Sequence, residues 1–263
     1  MLTTAAFILI VTSKVVLGWD DRWADEGEIY PLDMAVNSVD DQYVNCTKEM
    51  ETLVKKKYLN HEIKANKVFG EEWNKGEKNY SKPQDNLTIN NLIAIFVYTG
   101  SGVYKQFNQD VWNGKEKYLK GKFAWYSLYF FLTQAIQTLK ITECTLTYRF
   151  TRDTFIETVL NQEIRFGFFA SSSLDRLTNV FGNVSCFEIN TCYGANVTKY
   201  SQKPHEQEIL IPPYEKFNVT DIKTTDWCKT VFVLESTGIE SNLNCAKKKR
   251  NQYRREGTGF LLL

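Results

Sequence analysis

Three stretches in the second half of the chain carry side chains whose types and spacing suit chemistry on a phosphorylated sugar. In 144–151, Cys144, Leu146, Tyr148 and Phe150 alternate with Thr145, Thr147, Arg149 and Thr151, the period of a strand with one apolar and one polar face. Arg149 falls on the polar face, where a planar guanidinium can present a fixed fork of donors to phosphate oxygens. A surface arginine in an ion pair is the plainer account, and the pattern alone favours it. In 169–174, Phe-Ala-Ser-Ser-Ser-Leu, the hydroxyls of Ser171 to Ser173 follow an apolar run. They can bond a ribose or simply close a turn. In 206–213, Glu206 and Glu208 stand two residues apart ahead of Ile209, Leu210 and Ile211. If a strand begins at Glu206, both carboxylates leave one face. One can then steady a cationic sugar while the other handles a nucleophile. A solvated acidic strand edge explains the same pattern equally well.

Other familiar constellations are missing. Gly100-Ser101-Gly102 lacks the third glycine of a dinucleotide fingerprint, and no phosphate-cradling GxxxxGK[ST] occurs. His61-Glu62 has no second histidine four residues on, and His205 beside Glu206 reads as an exposed loop residue. With two histidines and no CxxC pair, a zinc site has few ligands to draw on.

The elements that would position these groups change character along the chain. From 19 to about 140 the chain reads as its helical part; the stretch from about 19 to 87 is charged and helical in places such as 48–58, with an exposed loop expected over 79–86. The apolar run 92–98 suits a buried helix or a buried strand. Leu128, Phe131, Leu132, Ala135, Ile136 and Leu139 make one apolar helical face. Beyond Lys140 strands are expected at 144–150, 164–170, 184–189, 208–211 and 230–234, the fourth ended by Pro212-Pro213. Helices first and strands after point to an α+β domain.

The chain has 263 residues, 43% of them apolar, which suffices for one sizeable core. A net charge of +1 gives no bulk field for DNA or RNA, so no nucleic-acid partner is expected. Residues 1–18 read as a secretory signal peptide, too short to span a bilayer. Six cysteines form an even set, and sequons occur at Asn45, Asn79, Asn86, Asn183, Asn196 and Asn218, as in a glycosylated, secreted protein. Residues 247–263 form a basic, solvated tail. Its apolar end, Phe260 to Leu263, falls short of the roughly 10–20 residues of a lipid-anchor signal, so an anchored form would need a longer tail.

Taken together, these stretches resemble the arginine-specific ecto-mono-ADP-ribosyltransferases. The likeness runs from about Leu32 to Cys245. It includes Leu32-Asp33-Met34-Ala35, Asp40-Asp41-Gln42-Tyr43 with Cys46, Tyr98-Thr99-Gly100, residues 127–140, and Tyr148-Arg149. Its most specific part is 164–174, followed by Phe187-Glu188-Ile189, Thr191-Cys192 and 206–215.

The resemblance implies a fold of two small, roughly perpendicular sheets around an NAD cleft, in a single domain over 19–246 with helices packed N-terminally. It implies transfer of ADP-ribose from NAD (or NADP), as co-substrate and with no metal, to arginines of extracellular or cell-surface proteins. The enzyme would be monomeric. Arg149 would hold the phosphate region, and Ser171 would bond the nicotinamide-side ribose and position Glu208. Glu208 would bond the ribose 2′-hydroxyl and stabilise the oxocarbenium ion, while Glu206 would bind and help deprotonate the target guanidinium. Tyr98 and Ser201 match positions near NAD, and the loop 199–205 would present the substrate. Cys46 would pair with Cys245 and Cys144 with Cys192, leaving Cys186 and Cys228 as an extra couple. Three positions depart from the family: Phe150 stands where glycine is common and its backbone meets the nicotinamide amide, Phe168 where glutamine is common, and Gln207 where glutamate is. The first two bear on NAD affinity, while the third leaves both outer carboxylates. An NAD glycohydrolase and a catalytically silent binding module are the alternatives.

Overall fold

The computed structural model describes residues 29–176 and 181–245; the expected signal peptide and basic tail lie outside the described residues. After β1 (Ile29–Tyr30), α1 (Thr47–Leu53) passes through a π-turn at Val54–Tyr58 into α2 (Leu59–Ala65) without leaving helical backbone. The helix expected over 48–58 is therefore one part of a longer rod. Asn66 caps α3 (Lys67–Asn79), its side chain accepting from the Phe69 N–H at 3.1 Å. The run left open at 92–98 is helical, as part of α4 (Ile89–Thr99). Thr88 and Asn91 satisfy each other's backbone donors in a capping box that starts it.

α5 (Tyr104–Trp112) and α6 (Lys115–Leu119) lead to α7 (Tyr126–Leu139), the helix read from Leu128 to Leu139. Its burial is wider than one face, for Tyr126 to Thr133 are all buried. Its first N–H groups have no carbonyl within the helix to bond. Glu62 of α2 supplies the acceptors, taking the Tyr126 N–H at 2.9 Å and the Ser127 N–H at 3.0 Å.

The strands are β2 (Thr145–Thr151), β3 (Thr154–Phe155), β4 (Glu163–Ile164), β5 (Ala170–Ser173), β6 (Ser185–Thr191), β7 (Ala195–Asn196), β8 (Glu208–Ile211), β9 (Glu215–Lys223) and β10 (Thr230–Ile239). β1 pairs with β3, in parallel; the other eight run in the order β4-β9-β10-β6-β2-β5-β8-β7. A five-strand part ending at β2 meets a three-strand part beginning at β5 through one register pair, Tyr148↔Ser173.

Several expectations need correction. The strand expected at 164–170 is two fragments, because Gly167 turns the chain at φ +69 where an added Cβ would lie 2.3 Å from the Ala35 Cβ. β10 runs on past Leu234, and β9 was not expected. On β2 the polar residues face inward: Thr147, Arg149 and Thr151 are buried and Leu146 is 49% exposed. Phe150 on the other face is buried as well, and the inward polar groups are satisfied by backbone carbonyls: Thr147 by Ile189, Thr151 by Ser185 and Arg149 by Ser171.

Two cores result. One is helical, and Phe169 joins it from the sheet side by stacking on Phe107 at 5.5 Å. The other lies on the five-strand part, around Phe187, Phe217 and Phe232. Disulfides join Cys46 to Cys245, Cys144 to Cys192 and Cys186 to Cys228. Asp40 and Arg165, both wholly buried, form an ion pair at 2.7 Å. Asp40 also accepts the N–H groups of Asn242 and Leu243, each at 2.9 Å, and Arg165 donates to the Met34 carbonyl at 2.7 Å. The N-terminal block, the middle and the last described residues thus meet at one point.

Candidate active site

β2 and β5 share one ladder pair, and Arg149 adds a second link between them. Its Nη1 donates to the Ser171 carbonyl at 2.9 Å, and its guanidinium lies 5.7 Å from the Phe168 ring centre. The three serines of β5 have separate tasks. Ser172 Oγ donates to the Ile209 carbonyl at 2.9 Å and Ser173 Oγ to the Glu206 carbonyl at 2.7 Å, fixing the turn into β8. Ser171 lines two clefts, one with Glu208 and one with Glu206.

Glu208 opens β8 and is 1% exposed, yet neither carboxylate oxygen has a hydrogen-bond partner. Glu215, equally buried, shows how unusual that is: its carboxylate accepts from Cys192 N, Tyr193 N, Thr191 Oγ1 and Ser236 Oγ. A buried acceptor without a donor is costly. Burial pushes the Glu208 carboxyl up to about 7; the neighbouring Ser171 hydroxyl, Lys203 and Arg149 pull it down, and Glu206 pushes it up.

Glu206 is not on the strand. Pro204–Glu206 form a 3₁₀ turn and Gln207 adopts a left-handed conformation (φ 45, ψ 51), so β8 starts two residues too late for the two carboxylates to share a strand face. Pro204 cannot donate to a ladder and favours the start of such a turn. Glu206 is nevertheless buried, with Lys203 Nζ 3.5 Å from its Oε1.

Tyr98 comes from α4. Its hydroxyl donates to the Phe169 carbonyl, and Asn108 of α5 donates to the Tyr98 oxygen at 3.0 Å and to the same carbonyl at 3.1 Å. Burial raises the Tyr98 phenol well above its ordinary range, with the Glu208 charge adding to it. Asn108 was not read from the sequence, because a lone amide within a helix gives no signal. Lys203 was not singled out either.

Two clefts meet at Ser171. One, of about 230 Å³, is lined by Tyr98, Thr99, Gly100, Tyr104, Ser171, Lys203 and Glu208. The other, of about 280 Å³, is lined by Tyr148, Arg149, Phe150, Ser171 to Ser173, Phe181 and Glu206. A larger space of about 620 Å³ lies around Trp112, Phe155, Phe166 and Phe168 and shares Arg149 with the second cleft. It lacks Ser171, Glu206 and Glu208, so size does not mark where the chemistry sits. Ser201 lines none of the three; its hydroxyl accepts from the Lys203 N–H at 2.9 Å and shapes the loop before Glu206. That loop is held to α4 by Gln202, which donates through its N–H to Thr99 Oγ1 at 3.0 Å and through its amide to the Phe96 carbonyl at 2.7 Å. Among the described residues no group of His, Cys, Asp and Glu is arranged to hold a metal ion.

The arrangement can accept an anionic, sugar-bearing ligand whose hydroxyl satisfies Glu208 and whose planar group enters the aromatic cleft. Comparison with known proteins identifies the family. The family model for NAD:arginine ADP-ribosyltransferase matches residues 32–242. The bovine (Bos taurus) ecto-ADP-ribosyltransferase 5 is 34% identical, the match covering 94% of this chain and 85% of that protein. The mouse (Mus musculus) T-cell ecto-ADP-ribosyltransferase 2 is 31% identical over 82% of this chain and 77% of its own. The crystal structure of the eukaryotic mono-ADP-ribosyltransferase ART2.2 superposes with a TM-score of 0.70 at 30% identity, covering 82% of this chain and 98% of that one. A mutant of that enzyme was solved in complex with NAD, and it superposes at 0.66 with 29% identity over the same shares.

Proposed function

The chain belongs to the NAD:arginine ADP-ribosyltransferase family, and from that premise we propose that it moves the ADP-ribose of NAD onto arginine side chains of proteins, releasing nicotinamide. The observation that carries this reading is Glu208, buried without a donor beside Ser171 in a cleft that also holds Lys203.

The ribose 2′-hydroxyl donates to Glu208, and Lys203 and Arg149 face the phosphates. The bond between ribose C1′ and the nicotinamide nitrogen breaks, its electron pair leaving with nicotinamide. The positive charge left on the ribose develops beside Glu208, where a fixed carboxylate acts at its strongest because it need not reorganise. Burial also excludes water, which would compete as a nucleophile. The target guanidinium approaches from the side of Glu206. It must lose a proton to attack C1′, and it stays protonated in water, so Glu206 receives that proton as the new C–N bond forms.

The setting is extracellular: the relatives are ecto-enzymes by name, and disulfides persist in oxidising compartments. Five sequon asparagines, Asn45, Asn79, Asn86, Asn183 and Asn196, are exposed and Asn218 is half-buried. The targets are arginines of secreted or cell-surface proteins, and the catalytic unit works as a monomer.

Incubation of the full chain with labelled NAD and an arginine analogue tests the reading. The expected product is the ADP-ribosylated analogue together with nicotinamide. Free ADP-ribose as sole product would make the chain an NAD glycohydrolase. No NAD binding by calorimetry at millimolar NAD would make it a silent relative.

A further inference from the structure

Phe150 does not simply fill the core. Its ring is 4% exposed, lines the aromatic cleft, and packs edge-on against Trp227 with ring centres 5.6 Å apart. Behind it lies a small separate cluster of Phe150, Cys186, Cys228 and Val231, with Tyr148, Phe181 and Trp227 packed on its edge.

Trp227 is held from three directions. Its neighbour Cys228 is bonded to Cys186, which faces Phe150 across the β2–β6 ladder. The turn it sits in is closed by Thr225 N–H to the Cys228 carbonyl and Cys228 N–H to Thr225 Oγ1, both at 3.1 Å. The guanidinium of Arg176, in the loop after β5, lies 5.1 Å from its ring centre. The opposite wall is fixed as well: Phe181 precedes Gly182 (φ +120), where a Cβ would come within 2.6 Å of the Thr151 carbonyl. Three rings, Tyr148, Phe150 and Phe181, therefore border a space whose floor is tied by a covalent cross-link.

The two clefts that meet at Ser171 divide by chemistry. The side with Lys203, Thr99 and Gly100 suits ribose and phosphate, while the other carries Arg149 and Glu206 beside three rings, and the rings suit a planar heteroaromatic group. We propose that Phe150 sets the size of the planar base that can occupy this cleft and leave NAD, and that Trp227 and the Cys186–Cys228 disulfide are its positioning brace. The inference rests on the reading of the chain as NAD-consuming. It adds that selectivity at the leaving group is set by Phe150 on β2 and braced by the loop between β9 and β10, which carries none of the site residues read from the sequence.

The test compares inhibition of NAD cleavage by nicotinamide and by a bicyclic carboxamide, quinoline-3-carboxamide, in the full chain. The wild type is expected to prefer nicotinamide. Phe150→Ala should shift the ratio of the two inhibition constants towards the bicycle by roughly tenfold, the effect of a few carbons in an apolar pocket. Trp227→Ala and the double Cys186→Ser/Cys228→Ser variant should shift it the same way by about threefold, since they loosen the wall without removing it. Phe150→Leu and Trp227→Phe serve if the larger truncations do not fold; Leu should shift the ratio part-way and Phe should restore it. A purely structural role would lower Tm and leave the ratio where it was, which overturns the proposal. A wild type that neither cleaves NAD nor is inhibited by nicotinamide would instead defeat the functional reading.

Discussion

Arg149 donates to the Ser171 carbonyl at 2.9 Å across the point where β2 and β5 share one ladder pair. The residue proposed to face the phosphates of NAD therefore also fastens the strand that carries the proposed ribose hydroxyl. In that proposal strand position and ligand affinity are coupled through one side chain.

Arg149→Lys tests that coupling. Lysine keeps the charge but is a point donor without a fork. It can serve the carbonyl or a phosphate, not both in one geometry. A fall of about 100-fold in kcat/KM for NAD is expected, with weaker NAD binding by calorimetry. An unchanged kcat/KM would show that the fork has no role.

Glu208→Gln separates activity from stability. Transfer and hydrolysis should both fall by roughly 1000-fold. Stability should move the other way at alkaline pH. With its pKa raised from 4.5 to about 7 by burial, Glu208 keeps a proton in the folded state that the unfolded state releases. The resulting stabilisation is full below about 4.5 and lost as pH rises through 7. The Tm gap in favour of Glu208→Gln should therefore widen from pH 5 to pH 8.

The same shift sets a pH profile. In the role proposed for it Glu208 must be ionised, so kcat/KM for NAD should rise with pH through about 7 and level off above it. A profile flat from pH 5.5 to 8.5 would remove Glu208 as the titrating group.

Glu206→Gln should abolish transfer to an arginine analogue and spare NAD hydrolysis, because the 3₁₀ turn places Glu206 in the other cleft from Glu208. Equal loss of both activities would contradict the division of labour.

Asp40→Ala should destabilise the fold by about 3–5 kcal/mol in denaturant unfolding, since it strands the buried Arg165 and two backbone N–H groups. Removing the exposed Lys120–Glu116 pair should change stability by less than about 1 kcal/mol.

Much of this site was legible in the sequence. The period of 128–139 gave α7, and the apolar run 208–211 gave β8 to the residue. Arg149, Ser171 and Glu208 sit at the end or on the face of such runs, but the pattern alone favoured a surface ion pair and a turn for the first two, and only the family resemblance singled them out. What escaped was set by contacts distant in sequence. Burial of the Thr147-Arg149-Thr151 face depends on neighbouring strands, and the turn that takes Glu206 off β8 depends on Gln207 tolerating a left-handed backbone. β9 alternates clearly through Phe217 and Val219, and that period could have been read. Asn108 and Trp227 carry no local pattern at all; only packing shows what they hold.

The knot around Asp40 also governs how the chain is made. Asp40 and Asp41 receive the N–H groups of Asn242, Leu243 and Cys245, and Cys46 is cross-linked to Cys245 across 199 residues. The first-synthesised segment thus stays unfinished until the ribosome has released nearly the whole domain. A nascent chain halted shortly before position 240 would hold these acids without their partners, and a stop codon there would be as damaging as an early one.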